Sequence, residues 1–556
     1  MKGGGRGAAA SGALGLCALS LVLWLPRFSG PIDLRYDAGV YYVLGTAIAE
    51  GKGYRLLYEP GEIEAIQYPP LLPLLIAVHQ KALGTSDPSI VGRALRTTFF
   101  LLFTAWLLVV DRVAARFLPR LAALAVAALS GLYFHSYFLS DFCFAELPYA
   151  FLTALFFWVR GVRSPGRRRE AGSGLLAAAA YLARSAGAAL LAAWIAEALF
   201  HRRPRQLAVR AAVALAAVLS WQAYIAGVTA SEEYENPAYA YQRAPYQFHN
   251  VGYLTHLALA DPFKPEAGRI SARQMAGRFF GSLLPVPLRL GEAVSATEGF
   301  WGWVLSKVTA RAGLPEVPRW GIAAVLIALG ALTIAGAVLL ARSGELLIPL
   351  YLLASVLLIC LTSWPGHTPR YLGPLTPLLA ICLVRALLAF GKRAPAVLVL
   401  LALLAVQTGT AYLVFSRSHE PVAYTDLRGE EQRYRLFYYN RDWRQFDRAL
   451  DWLRGRAAPG DVIATSTPEW VYLRTGRKAV FPPFEADPGR ALGQMDSVPV
   501  RYLIADHFDF LDVIGRYALP AVERFPGGWK LVYASPDHEV RIYRRVRPGE
   551  EGEHGT

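Results

Sequence analysis

Residues 319–341 read RWGIAAVLIALGALTIAGAVLLA, and the next residue is Arg342. About 20 mostly apolar residues cross the hydrocarbon core of a bilayer as a helix. This stretch does so with no charge inside it, and a cation stands at each end. Similar runs fall near residues 8–25, 89–110, 121–139, 144–160, 172–185, 186–200, 207–228, 346–363, 370–390 and 395–415. The pair between 172 and 200 is short for two crossings and meets at a break around Arg184-Ser185-Ala186-Gly187.

Composition agrees. The 556 residues are 54% hydrophobic and 18% charged, against about 25% charged in soluble domains. That excludes a single soluble domain, a disordered chain and a nucleic-acid-binding module. The net charge of +15 sits in loop clusters: Arg112/Arg116/Arg120, Arg160/Arg163/Arg167/Arg168/Arg169, Arg202/Arg203/Arg205, Arg342 and Lys392/Arg393. Placing all of them on the cytoplasmic side gives about 11 crossings, a cytoplasmic N-terminus behind Lys2 and Arg6, and an external C-terminus. The first run reads as an uncleaved anchor, because Pro26-Arg27-Phe28 follows it with no small-x-small cleavage site. Cys17, Cys143, Cys360 and Cys382 show no metal or disulfide spacing and read as packing residues.

The expected architecture is an α-helical polytopic membrane protein with a small extracytoplasmic α/β domain. The membrane domain is residues 1–415, with external loops 27–88 and 229–318; the soluble domain is 416–556. In the latter, Trp443, Phe446, Leu450 and Leu453 recur at helical steps, giving an amphipathic helix. Strand-like runs follow at 462–464, 478–481, 501–505, 531–534 and 540–543, with a helical stretch near 508–522.

Candidate chemistry begins in the first loop. Residues 40–50 read as an amphipathic helix at the membrane surface, preceded by Asp37. Asp37 is either a helix N-cap or a general base at the water–lipid boundary. Asp141 and Glu146 open the fourth span; ionisable groups in apolar surroundings are costly and point to function. Arg184 and Arg370 lie near external membrane ends, against the positive-inside bias, so each needs a partner: a bound phosphate, an ion pair with Asp141 or Glu146, or lipid headgroups. His367 is a further anion contact or an ordinary loop residue. The aromatic stretch Tyr234–Tyr253 with Trp301 and Trp303 reads as sugar-stacking surface or as an interfacial belt. A transporter or flippase of a lipid-linked sugar is the alternative class, but no repeat between the halves supports it.

Several of these pieces together resemble the C-type glycosyltransferases, membrane enzymes that use polyprenyl-phosphate-linked sugars. The likeness is to glycosyltransferase family 39, which holds the protein O-mannosyltransferases and the lipid A aminoarabinose transferases. It rests on Asp37, Tyr68-Pro69-Pro70-Leu71, Asp141…Glu146-Leu147-Pro148, Ala183-Arg184-Ser185 and Arg370-Tyr371-Leu372-Gly373-Pro374-Leu375-Thr376-Pro377. The resemblance implies inverting sugar transfer on the extracytoplasmic face, with Asp37 as base and Arg184, Arg370 and His367 around the donor phosphate. It implies no catalytic metal or other cofactor. The implied partners are a polyprenyl-phosphate sugar, a glycan, lipid or protein acceptor and membrane lipids, in a bacterial cytoplasmic membrane. One departure stands out: Ala38 follows Asp37 where the protein mannosyltransferases carry Asp-Glu, which moves that glutamate's role to Glu50, Glu62 or Glu64 or removes it.

Overall fold

The computed structural model describes residues 4–161, 166–313, 315, 317–390, 393–508 and 511–547; Arg163 and Lys392 lie outside the described residues. The described chain forms two compact units, one of residues 1–26, 97–221 and 272–417, the other of 27–96, 222–271 and 418–556.

The first unit is helical. Six helices among the described residues are long and apolar enough to cross a membrane: Ala10–Arg27, Pro88–Ala114, Pro204–Thr229, Arg319–Arg342, Thr368–Phe390 and Ala394–Arg417. The chain is a multi-pass membrane protein. The other expected crossings are helices of 13 to 17 residues: Arg120–Leu132, Glu146–Arg160, Arg167–Ala183, Ala188–Phe200 and Leu347–Cys360. The break at Arg184 is real. That residue is extended (φ −155°, ψ 132°), and a 3-10 turn, Ser185–Gly187, restarts the helix. Two helical arginines are tied to carboxylates in the end turns of neighbouring helices. Arg160 meets Glu197 at 2.8 Å, and Arg210 bridges Glu197 (2.8 Å) and Glu170 (2.5 Å). Pairing of this kind is what makes a buried guanidinium tolerable. All four cysteines are free thiols.

The second unit contains the C-terminal α/β fold. A hairpin of β1 (His419–Thr425) and β2 (Glu431–Phe437) precedes the amphipathic helix Arg441–Arg454, whose Trp443, Phe446, Leu450 and Leu453 are all buried. Strands β3 (Val462–Ala464), β4 (Lys478–Val480), β5 (Val500–Ala505), β6 (Trp529–Ala534) and β7 (Arg541–Arg545) form one sheet in the order β4-β3-β5-β7-β6. The first three are parallel and β5-β7-β6 antiparallel. Helix Pro468–Thr475 crosses from β3 to β4, and helix Pro488–Ser497 returns to β5. The sheet matches the five strand-like runs; the hairpin was not legible.

The first loop belongs to this unit. Its edge is stitched to β4, where the Ala479 amide donates to the Tyr58 carbonyl at 2.9 Å. Arg35, wholly buried, is clamped by Asp33 at 2.6 Å and donates to the Phe437 and Tyr438 carbonyls at 2.7 and 3.2 Å. Glu59, also buried, accepts from Tyr239 (2.7 Å), Gln242 (3.2 Å) and Asn250 (3.3 Å), binding residues 239–250 to the same loop. Burial raises the Glu59 carboxyl to about 7 against the pull of those donors.

One expectation is corrected here. Helix Asp37–Ala49 does not lie amphipathically on a membrane surface: Ala38 through Ala47 are all buried. Those residues carry no charge on any face, and a helix apolar all round seeks a core. The charged Glu50 and Lys52 fall beyond its end.

Candidate functional site

Asp37 is the first residue of its helix, not the cap. The N-cap is Tyr36, held at φ 59° with no side-chain capping bond. Positive φ is uncommon outside glycine and persists where surroundings over-determine it. Here the Tyr36 ring is pinned edge-on against Trp443 (5.5 Å) with the Arg35 guanidinium 5.8 Å from its centre. This backbone turn presents Asp37 at the positive end of the helix dipole, which favours an anion. The Tyr68 hydroxyl donates to Asp37 Oδ1 at 3.1 Å. Tyr68, from the Tyr68-Pro69-Pro70 turn, packs on Tyr41 (4.7 Å) and on the His249 ring (5.7 Å). His249 is buried, and desolvation lowers its imidazole to about 4 although the Asp37 charge pulls the other way. At neutral pH it is an uncharged hydrogen-bonding group.

Sequence reasoning missed the carboxyl that meets this helix. Glu469 stands on the first turn of helix Pro468–Thr475, which packs on the Asp37 helix. Gly39 permits the approach: a Cβ there would sit 2.7 Å from Glu469 Cγ and 2.9 Å from the Leu34 carbonyl oxygen. Glu469 is 4% exposed, and burial, then the charge of Asp37, raises its carboxyl to about 8. The three glutamates considered from sequence are engaged elsewhere. Glu50 pairs with Lys52 at 3.0 Å and Glu62 with Lys478 at 2.7 Å, while the backbone of Glu64 is fixed by a bridge to Arg55 and by its amide donating to Glu233 at 3.3 Å. A sequence signal existed only as Thr465-Ser466-Thr467-Pro468-Glu469, a polar run between a strand and a helix.

The membrane unit holds a second cluster. Glu146, on the first turn of helix Glu146–Arg160, accepts on Oε1 from Arg370 Nε (2.5 Å), and the same oxygen forms an ion pair with Arg184 Nη1 (2.8 Å). The Arg370 guanidinium lies 4.5 Å from the Phe144 ring centre and that of Arg184 5.7 Å from Tyr371. Both arginine side chains keep some exposure, 18% and 23%. Two guanidiniums on one carboxylate leave an excess positive charge. Glu146 also lines a small cavity with Trp106, His135, Leu139, Gly373 and Pro374. Asp141 is wholly buried in the turn before that helix, and His367 is exposed, 6.1 Å from the Tyr371 ring. Among the described residues, no three His, Cys, Asp or Glu side chains cluster to hold a metal ion.

No protein-family model and no curated protein matches the sequence. Solved structures do. The oligosaccharyltransferase of Archaeoglobus fulgidus, in complex with Zn and sulfate, superposes with TM-score 0.54 at 14% identity over 96% of this chain and 73% of that one. The same archaeal AglB with an inhibitory peptide and a dolichol-phosphate gives 0.53 at 14%, over 97% and 74%. This is the fold of the C-type glycosyltransferases. ArnT from Cupriavidus metallidurans, bound to undecaprenyl phosphate, matches at 12% identity over 96% of this chain and 98% of its own, with TM-score 0.40.

Proposed function

We propose that this chain transfers a sugar from a polyprenyl-phosphate donor to an acceptor hydroxyl, with inversion, on the extracytoplasmic face of a bacterial cytoplasmic membrane. The observation that carries this reading is Asp37, set by a strained cap at the start of a buried helix and oriented by Tyr68. The fold, shared with an enzyme solved with a dolichol-phosphate, supports it. The N-terminus is then cytoplasmic and the α/β domain external.

In this mechanism the acceptor O–H bond breaks and its proton passes to the Asp37 carboxylate. The oxygen attacks the anomeric carbon from the face opposite the phosphate. The bond from that carbon to the phosphate oxygen breaks, and its electron pair leaves on the lipid phosphate. One displacement inverts the centre. Arg184 and Arg370 hold the leaving phosphate, trading part of their bond with Glu146 for charge-assisted bonds to it. Neutral His249 adds no competing cation beside the base.

The test is transfer by purified protein from radiolabelled polyprenyl-phospho-sugars to a membrane extract, wild type beside Asp37→Asn. Wild-type transfer falling at least about a hundredfold in the variant, with undecaprenyl phosphate still bound, is the expected result. Equal rates would remove Asp37 as base. No transfer from any donor, with lipid movement across liposomes instead, would make the chain a flippase.

A further inference from the structure

The carboxyl of Glu469 has no role in that mechanism, yet it occupies the end of the C-terminal sheet where ligands gather in open α/β folds. In the sheet order β4-β3-β5-β7-β6 the chain leaves β3 toward β4 and leaves the neighbouring β5 toward β6, in opposite directions. Crevices beyond the carboxyl ends of strands at such a switch point are the usual binding place. The segment leaving β3 there is Thr465-Ser466-Thr467-Pro468-Glu469, all buried. The segment leaving β5 starts with Asp506, which accepts from Ser466 at 2.7 Å. The crossover from β3 is what sets Glu469 against Gly39 and the Asp37 helix.

Three buried polar atoms around this place have no hydrogen-bond partner among the described residues: Glu469 Oε2, Tyr58 OH and His249 Nδ1. Their residues are 4%, 1% and 9% exposed. Electrostatics runs through them as one group, Tyr58 feeling Glu469, Glu469 feeling Asp37 and His249 feeling Asp37. Buried polar atoms are nearly always paired, and an unpaired set beside a reactive group marks where a polar ligand sits. The Tyr58 carbonyl is fixed on β4, so its hydroxyl is held by the same sheet as Glu469.

We propose that the C-terminal α/β domain completes the Asp37 site: Glu469, beside Tyr58 and His249, hydrogen-bonds the acceptor and presents its hydroxyl to Asp37. This rests on Asp37 as the base. A single negative charge then serves the pair, since two adjacent carboxylates do not ionise together without cost. The groups that face Glu469 are Asp37 from the Asp37 helix and Tyr58 from the first loop. On its own helix, Arg474 is turned to Asp447 (3.3 Å) and Asp451 (3.2 Å) and supplies no counter-ion. With burial holding Glu469 protonated to about pH 8, its donor O–H is lost above that pH.

The experiment sets wild type, Asp37→Asn, Glu469→Gln and Glu469→Ala side by side, in the same transfer assay with membrane extract as acceptor, from pH 5.5 to 9.5. Glu469→Gln keeps shape and neutrality. The expected result is at least a tenfold loss of transfer for Glu469→Ala, recovered in part by Glu469→Gln, with the loss overcome by more extract. Undecaprenyl phosphate binding stays unchanged in both. Wild-type transfer declines above about pH 8, and that decline is absent in Glu469→Gln. Wild-type rates and an unaltered alkaline limb in both Glu469 variants, with Asp37→Asn inactive, overturn the role of Glu469 and leave Asp37 as base. A loss in Glu469→Ala matched by collapse of its melting temperature, with no change of pH profile in Glu469→Gln, assigns the residue to the fold and overturns the proposal. Full activity of Asp37→Asn overturns the base itself, and no wild-type transfer from any donor overturns both.

Discussion

Replacing Glu469 by glutamine removes a group that burial makes costly to ionise, and its effect on stability follows from linkage. In the unfolded chain the carboxyl titrates near its ordinary 4.5; in the fold it is raised to about 8. A raised folded value means the folded state binds the proton more tightly. Its stabilising contribution is therefore complete below pH 4.5 and is lost as pH rises through 8. At about 1.4 kcal/mol per pH unit, the wild type forfeits up to about 5 kcal/mol across that window. Glutamine cannot ionise, so Glu469→Gln forfeits none of it. Melting curves of both proteins in detergent, at half-unit steps from pH 5 to 9, read the difference directly. The variant matches wild type near pH 5 and melts progressively higher toward pH 8.5. At about 2–4 °C per kcal/mol for a unit of this size, the gap reaches about 10 °C or more. The same substitution on an Asp37→Asn background widens the gap less, because the charge of Asp37, after burial, is the other cause that raises the carboxyl. A gap that stays flat with pH, or closes toward pH 8.5, refutes the assignment of Glu469 as a buried neutral acid coupled to Asp37.

Tyr68→Phe deletes the hydroxyl that orients Asp37 and should cost about 1 kcal/mol in transition-state stabilisation, roughly fivefold in kcat/KM, with the melting temperature little changed. Gly39→Ala places a Cβ against Glu469 and the Leu34 carbonyl; the overpacking should destabilise by about 1–3 kcal/mol and lower transfer, which thermal melts and the transfer assay would read together. Arg370→Ala should weaken undecaprenyl phosphate binding at least about tenfold in a filter or fluorescence assay, as loss of a charge-assisted contact requires, and unchanged affinity would dissociate the Glu146 cluster from the phosphate.

The legible part of this chain was its periodicity and its charge. Apolar runs such as 319–341 and the recurrence of Trp443, Phe446, Leu450 and Leu453 report burial over a few turns, and most of the helices stand where they were read; the run expected at 121–139 is instead broken at Tyr133 into helices Arg120–Leu132 and Phe134–Leu139. The break at Arg184 was equally visible, since Ser and Gly interrupt two Ala/Leu-rich runs. The five strand-like runs of the last domain became one sheet for the same local reason. The helix after Asp37 was misjudged because its neighbours in sequence, Glu50 and Lys52, are charged, while its own faces are not. Asp37, Glu146, Arg184 and Arg370 could be singled out one by one, as ionisable groups at the edges of apolar runs.

Which of them meet was not in the sequence. That Arg184 and Arg370 share one oxygen of Glu146, or that Tyr68 holds Asp37, depends on helices and loops far apart in the chain. Glu469 shows the difference most plainly. By itself it is an acidic residue after a proline at a helix start, an ordinary place for one. Only the β3–β4 crossover, with Gly39 bare enough to receive it, turns it into a buried partner of a first-loop aspartate more than four hundred residues away. The sequence by itself determined a multi-pass helical protein, its α/β domain and its acidic first loop, because hydropathy and charge act locally. The tertiary structure decided the composition of the site, because burial and proton affinity depend on which distant residues are packed around a group.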